Sequence, residues 1–159
     1  MSEHGFRVLV YTLLVLFVLL FLGIRWYGKM RGLGIIMALM KQYRFREAKE
    51  WLDRYVVDFP NSKRAWVLMG GVELEFNNVA AAKEAYAKSL AVDPNYSNAL
   101  AGMGVVYRRE KEFDLAEDYY YKALKSNPKN YQVKTSLMLL ELYKGNIEVA
   151  ISLGEDSVK

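Results

Sequence analysis

Residues that could perform acid–base, metal or nucleophilic chemistry are sparse in this sequence. The 159-residue chain has no cysteine and one histidine, His4. Thiolate zinc sites, thiol nucleophiles and histidine clusters therefore have no residues from which to form. No Gly-rich phosphate loop and no paired nucleophile and base are present. We therefore predict that the protein is not an enzyme, with no catalytic residue, no cofactor and no metal ligand.

The charged residues are mixed along the sequence instead of being gathered on one segment. The net charge is +4, and cations alternate with acids, as in the RREKE run at residues 108–112. A nucleic-acid-binding protein is expected to collect Lys and Arg on one face, whereas alternating signs are typical of a solvated helix surface. We predict no nucleic-acid partner.

The N-terminal segment is strongly apolar. Residues 8–24 read VLVYTLLVLFVLLFLGI and contain no charge. Extended to residues 6–27, the run reaches the ~20 residues of a spanning helix. A cleaved signal peptide is the alternative, but the run ends at Gly23 and Ile24 without a small-x-small cleavage site. We predict a short tail and a single transmembrane helix within residues 1–28, which contacts the lipid bilayer through residues 6–27.

The flanking cations predict which side of the membrane the rest of the protein occupies. Arg25, Lys29 and Arg31 follow the apolar run, whereas Arg7 and the amino terminus precede it. Because cytoplasmic flanks carry the excess of Lys and Arg, residues 29–159 are expected in the cytoplasm.

The remainder of the sequence repeats with a fixed period. Its three prolines, Pro60, Pro94 and Pro128, are 34 residues apart, and such periodicity is typical of stacked helical hairpins. The period divides the sequence into units 29–62, 63–96, 97–130 and a partial unit 131–159. Each unit contains two amphipathic helices, separated by breaks at Tyr43-Arg44, Asn77-Asn78, Lys111-Glu112 and Gly145-Asn146.

The third unit shows the helical faces most clearly. Leu100, Met103 and Tyr107 are spaced i, i+3, i+7 and form one apolar stripe. Small residues, such as Gly104, stand where two helices must approach closely. The Tyr119-Tyr120-Tyr121 run cannot face inward throughout a helix, so Tyr119 or Tyr121 should be exposed.

These residues resemble the tetratricopeptide repeat (TPR) family, whose pattern is W-x2-L-G-x2-Y…A-x3-F…A…P. The third unit matches at Leu100, Met103-Gly104, Tyr107, Ala116, Tyr120, Ala123 and Pro128. The second unit matches at Trp66, Met69-Gly70, Ala82, Tyr86, Ser89 and Pro94, with Glu73 in place of the expected Tyr. The first unit is degenerate. The pentatricopeptide family, which reads RNA, has a similar 35-residue hairpin but fits this pattern less well.

The resemblance implies an all-α fold, with the N-terminal helix followed by an α-solenoid of about three and a half hairpins. It also implies a concave groove lined by the first helix of each unit, at its second, fifth, ninth and twelfth positions. We therefore assign partner binding to Val67, Leu74, Asn98, Ala101, Val105, Arg108, Gln132, Thr135, Leu139 and Leu142. The alternative is that several of these residues belong to the core.

The chemistry of these groove positions indicates what they bind. Aliphatic and small residues predominate, and the Lys/Asn/Arg clamp with which some TPR proteins hold a chaperone carboxyl terminus is missing. An amphipathic helix or an apolar segment of a protein partner is the expected ligand.

We interpret the protein as a membrane-anchored TPR scaffold or assembly factor. The layout resembles bacterial inner-membrane TPR proteins with one N-terminal helix and cytoplasmic repeats. The alternatives are a permanent structural subunit of a membrane complex and a mitochondrial import-type receptor.

The last helix carries more apolar residues than one packing stripe can bury, namely Ile147, Val149, Ile151, Leu153 and Val158. Terminal repeats need a polar cover for solubility. We therefore expect the C-terminal end to dock on a second copy, on a partner subunit, or on residues of a longer parent protein.

Overall fold

The computed structural model describes the backbone of residues 3–155 and the side chains of residues 11–24, 27, 28 and 30–155. This part of the protein forms eight α-helices. They are α1 (Glu3–Lys41), α2 (Phe45–Asp58), α3 (Lys63–Glu75), α4 (Val79–Val92), α5 (Ser97–Arg109), α6 (Phe113–Ser126), α7 (Tyr131–Lys144) and α8 (Ile147–Glu155). Residues 1–2 and 156–159, including Val158 of the predicted apolar set, lie outside the described residues.

The helices pair in sequence order into antiparallel hairpins, and each hairpin packs on the next. Contacts join α1 to α2, α3 to α4, α5 to α6 and α7 to α8, and the second helix of each hairpin also packs on the first helix of the following one. The first helices α3 and α5 touch each other directly. The predicted all-α solenoid of hairpins is confirmed for the described residues.

Helix α1 is a single 39-residue element. It joins the apolar N-terminal segment to the first helix of the first repeat without a break near residue 28. No proline lies in this segment, and Gly28 and Gly34 have open space around them, so nothing in the sequence ends the helix there. Within the described residues, no helix combines the length and the apolarity that crossing a membrane requires.

The four breaks between paired helices share one backbone conformation. Tyr43, Asn77, Lys111 and Gly145 have φ angles of 60°, 60°, 65° and 85°, in the left-handed region. These residues stand 34 positions apart, and each ends the first helix of its unit. Only the last is glycine, which adopts this conformation without steric cost. The predicted breaks therefore fall at the observed turns.

The prolines end the second helices as predicted. Phe59, Asp93 and Asn127, the residues before the three prolines, have φ angles of −131°, −146° and −140°. A residue that precedes proline is driven out of the helical region by the proline ring. Each second helix therefore stops two residues before its proline.

Tyrosine rings fill the space that glycines leave between hairpins. The ring of Tyr86 in α4 lies against Gly70 in α3 and Gly102 in α5, and a Cβ atom at Gly70 would lie 2.6 Å from it. Burial raises the pKa of Tyr86 to about 12. Tyr120 in α6 repeats the arrangement against Gly104, where a Cβ atom would lie 2.5 Å away. These contacts set the close approach of the first and second helices.

The unexpected Glu73 is held by two partners in the position where the repeat pattern has Tyr. Its buried carboxylate accepts hydrogen bonds from Lys49 Nζ of α2 and, at 2.9 Å, from Asn78 Nδ2. Burial raises the pKa of Glu73, and the hydrogen bonds from Lys49 and Asn78 lower it. The lowering outweighs the rise, so the pKa lies below its ordinary value of 4.5. This ion pair joins the first hairpin to the second.

Lys49→Met should lower the free energy of unfolding by about 1–3 kcal/mol at neutral pH, because it leaves the Glu73 carboxylate buried without its cation. A depressed pKa gives stability that is present above pH 4.5 and is lost as the pH falls through the folded value. The difference between variant and wild type should therefore shrink in acid. Urea denaturation at about pH 7 and about pH 3 measures it, with Lys125→Met, at an exposed lysine of α6, as the control. An undiminished difference at the lower pH would contradict the assignment.

Lys111→Gly should stabilise the protein by up to about 1 kcal/mol. The left-handed conformation costs a lysine about 1–2 kcal/mol, and glycine adopts it without that cost. Part of this gain is offset because glycine loses more backbone entropy on folding. Ala87→Gly is the matched control, because Ala87 is exposed in the middle of α4. The control should destabilise by about 1 kcal/mol. Thermal denaturation followed by circular dichroism gives both values. A lower melting temperature for Lys111→Gly would show that the lysine side chain contributes more than its backbone costs.

Candidate functional site

Two neighbouring first helices, α5 and α7, form a cleft of about 370 Å³ with the start of α6. Arg108, Arg109 and Lys111 line one side of it. Ser136, Leu139 and Tyr143 line the other side, from α7. The structure thus brings together two of the predicted groove residues, Arg108 and Leu139, which are 31 positions apart in the sequence.

The ten predicted groove residues fall into three groups by exposure. The exposed ones are Asn98, Arg108, Gln132, Thr135, Leu139 and Leu142. Val67, Ala101 and Val105 are half-buried and pack against the core clusters beneath them. These half-buried side chains can present only part of their surface to a partner.

The structure corrects the assignment of Leu74 to the groove. Only 7% of its surface is exposed, and it belongs to a core cluster with Tyr86 and Met103. Its carbonyl oxygen is also covered, because Arg109 Nη1 donates a hydrogen bond to it at 2.8 Å. The next hairpin packs over this end of α3, so Leu74 stabilises the fold and offers no binding surface.

Tyr120 does not line the cleft but lies near two of its residues, Arg108 and Ser136. Its side chain is 1% exposed, and its hydroxyl has no hydrogen-bond partner among the described residues. Burial raises the pKa of Tyr120, and the nearby Arg108 and Ser136 oppose that rise. Ser136 donates its own hydrogen bond along its helix, to Gln132 O at 2.9 Å. The hydroxyl therefore lies beside two cleft residues with its donor unused.

Several cleft residues were not predicted. Arg109, Lys111, Ser136 and Tyr143 lie outside the family positions from which the groove was assigned. Tyr143 follows Leu139 by one helical turn, and its ring packs on that of Phe113, with 5.0 Å between centroids. The i, i+4 spacing of Leu139 and Tyr143 on α7 is the signal that would have indicated a shared face.

The tyrosine run behaves as predicted. Tyr120 is buried, whereas Tyr121 is 45% exposed. Tyr119 is half-buried and stacks on Tyr107, with 5.2 Å between the ring centroids. The exposed member of the run lies on a second helix, away from the cleft residues of α5 and α7.

The C-terminal helix leaves apolar side chains uncovered. Ile147, Val149 and Ile151 are exposed, and Leu153 is half-buried. A shallow apolar depression lies between α7 and α8, lined in part by Met138, Leu142 and Ile151. The docking of this C-terminal end on a second copy, a partner subunit or residues of a longer parent protein stays a prediction. Among the side chains that the structure describes, no cluster of His, Cys, Asp or Glu is arranged to hold a metal ion.

Two segments of the sequence match family models described as tetratricopeptide repeat, at residues 63–96 and 97–130. These segments contain α3 to α6 and the turns at Asn77 and Lys111. Residues 63–130 therefore match two consecutive tetratricopeptide repeats. The predicted resemblance to the TPR family is confirmed for these two units.

One curated relative and several solved structures are similar to this chain. The type IV pilus assembly protein PilF of Pseudomonas aeruginosa is 35% identical over 72 residues, which are 45% of this chain and 29% of that protein. The match therefore spans less than a third of that relative's length. A structure of Pseudomonas aeruginosa PilF superposes with a TM-score of 0.75 at 20% identity, covering 84% of this chain and 61% of that one.

Two other solved structures share the fold. The crystal structure of MamA gives a TM-score of 0.68 at 23% identity, over 82% of this chain and 77% of that one. The Cut9–Hcn1 heterotetramer of the APC/C gives 0.73 at 20% identity, over 82% of this chain and 26% of that one. At such identities the similarity shows the fold alone.

Proposed function

We propose that this protein is a membrane-anchored TPR scaffold or assembly factor, which binds a partner protein in the groove on its first helices. The single observation that carries the proposal is the cleft between α5 and α7, where exposed Arg108 and Leu139 face a common space. TPR stacks are recognition surfaces, and a groove of this kind suits a helix or an extended segment of another protein.

The groove is defined by Asn98, Arg108, Gln132, Thr135, Leu139 and Leu142, with partial contributions from Val67, Ala101 and Val105. Leu139 is 57% exposed, and together with the neighbouring exposed Leu142 it forms an apolar surface of the kind that contacts another molecule. The match to a protein described as a pilus assembly protein supports a role in assembly for this chain.

The anchor rests on the apolar N-terminal half of α1. Every described large hydrophobic side chain from Tyr11 to Ile24 is more than half exposed, all around the helix. Apolar surface of this extent marks an interaction with a membrane or another protein. We propose that residues 6–27 contact a bilayer, that the membrane is a bacterial inner membrane, and that the repeats lie on its cytoplasmic side, as the flanking cations indicate.

Leu139→Asp should weaken partner binding at least about tenfold, because it places a charge in an apolar contact. Its helix content should be unchanged, since Leu139 is exposed. Leu115→Asp, at an exposed leucine of α6, is the matched control and should bind as wild type. Affinity purification of the full-length protein from solubilised membranes, with quantification of the co-purifying protein, measures the effect.

Two results would contradict the assignment of Leu139 to the binding groove. Equal loss of binding in both variants would point to a general surface effect, and loss of helix in Leu139→Asp by circular dichroism would make the residue part of the core. Retention of the partner in stoichiometric complex after detergent extraction would favour the alternative of a permanent subunit.

The full-length protein should remain in the membrane fraction after alkaline carbonate extraction. The double variant Leu16→Arg, Leu20→Arg should be released, because each arginine costs about 2.5–3.5 kcal/mol at the centre of a spanning helix. Leu115→Arg with Tyr121→Arg, on α6, is the control that adds the same charge outside the anchor. Extraction of the wild type, or retention of the N-terminal variant, would refute the anchor.

The same membranes can be used to test on which side of the bilayer the repeats lie. Protease added to intact spheroplasts should leave residues 29–159 uncut, and digestion of the repeats would place them on the opposite side.

A further inference from the structure

The cleft between α5 and α7 combines positive charge with an apolar wall. Arg108, Arg109 and Lys111 line it, and of its described lining residues none is acidic. Leu139 and Tyr143 provide the apolar side. A volume of about 370 Å³ is large enough for one or two side chains of a ligand. The cleft is therefore complementary to an anion that stands beside an apolar group.

Two of the three cations have no acidic partner in the described part of the protein. Arg109 is engaged, because its Nη1 donates to Leu74 O. Neither Arg108 nor Lys111 forms an ion pair with any described residue. The adjacent acid Glu110 is held elsewhere by Lys83, at 2.8 Å. The positive charge of Arg108 and Lys111 is thus not neutralised within the fold.

The Tyr120 hydroxyl supplies a second and independent observation. It is buried and has no hydrogen-bond partner among the described residues, and it lies beside the cleft residues Arg108 and Ser136. A buried donor without a partner is rare in folded proteins and calls for an explanation, such as a group that a ligand supplies. Because the hydroxyl is covered, a ligand oxygen becomes that partner when the exposed Arg108 side chain moves to bind it.

We propose that the α5–α7 cleft selects an acidic side chain of the partner protein, with its carboxylate beside Arg108 and Tyr120 and an adjacent apolar residue against Leu139 and Tyr143. This proposal rests on the proposed function, since it names the chemical groups of the partner that the groove binds. It refines the expected ligand from an apolar segment to an acidic and apolar one. A carboxylate is also present at the carboxyl terminus of every polypeptide, and the experiment separates the two sources.

The test selects peptides from a random 12-residue library on the purified full-length protein in detergent. One library is displayed with both peptide ends blocked by fusion and cap, and a second has a free carboxyl terminus. We expect the blocked library to be enriched in Asp or Glu next to Leu, Ile or Phe. Enrichment only in the free-terminus library would assign the site to a terminal carboxylate and overturn the side-chain proposal.

Variants of the cleft connect the enrichment to the named residues. Arg108→Gln should lose the acidic preference and bind the selected peptides about tenfold more weakly, as expected for a charge-assisted hydrogen bond. Arg54→Gln, at an exposed arginine of α2, is the control and should select as wild type. Acidic enrichment that survives in Arg108→Gln would contradict the proposal.

Tyr120→Phe tests the hydroxyl apart from the ring. The ring packing is retained and a buried group without a partner is removed, so the melting temperature should be unchanged or higher. Affinity for the selected peptides should fall about three- to tenfold, the equivalent of one hydrogen bond. Unchanged affinity would remove Tyr120 from the site.

The outcome also distinguishes this inference from the proposed function. If Leu139→Asp abolishes all peptide binding while the selected peptides show no acidic preference, the groove binds proteins and the acidic selection is wrong. If the wild-type protein selects no peptides at all, the groove proposal fails as well.

Discussion

The stack depends on the fit of tyrosine rings into the space beside glycines. Tyr86 of α4 packs on Gly70 of its own hairpin and on Gly102 of the next, so one ring holds three helices at a close distance. A Cβ atom at either glycine would enter the ring, and the rigid tyrosine could not retreat within a packed core. In this way α3 and α5 are held in contact, and residues of α5 and α7 line one cleft.

The helix boundaries were predictable from the sequence because local backbone chemistry sets them. The residue before a proline is forced out of the helix, and this occurs at Phe59, Asp93 and Asn127 whatever packs nearby. The boundary near residue 28 was not predictable in the same way. A change of composition from apolar to mixed is no helix stop, and α1 continues to Lys41 because nothing between the two segments breaks it.

The exposure of individual groove residues was harder to predict, because it depends on the next hairpin. Leu74 and Leu142 hold the same position in units two and four, yet one is buried and the other exposed. Leu74 is covered by the packing of Met103 and by Arg109 from the following hairpin. Periodicity assigns a residue to a face of its own helix, and only the three-dimensional stack determines how much of that face is covered.

The contacts between consecutive hairpins also change along the sequence, at a position that recurs every 34 residues. Lys49 pairs with Glu73, and Lys83 lies 4.4 Å from the ring centroid of Tyr107. At the third such pair both residues are acidic, Glu117 and Glu141. Glu117 instead accepts from Lys144, and Glu141 Oε1 has no partner among the described residues. The cation at this junction therefore comes from another position, because Lys144 of α7 pairs with Asp114 and Glu117 of α6.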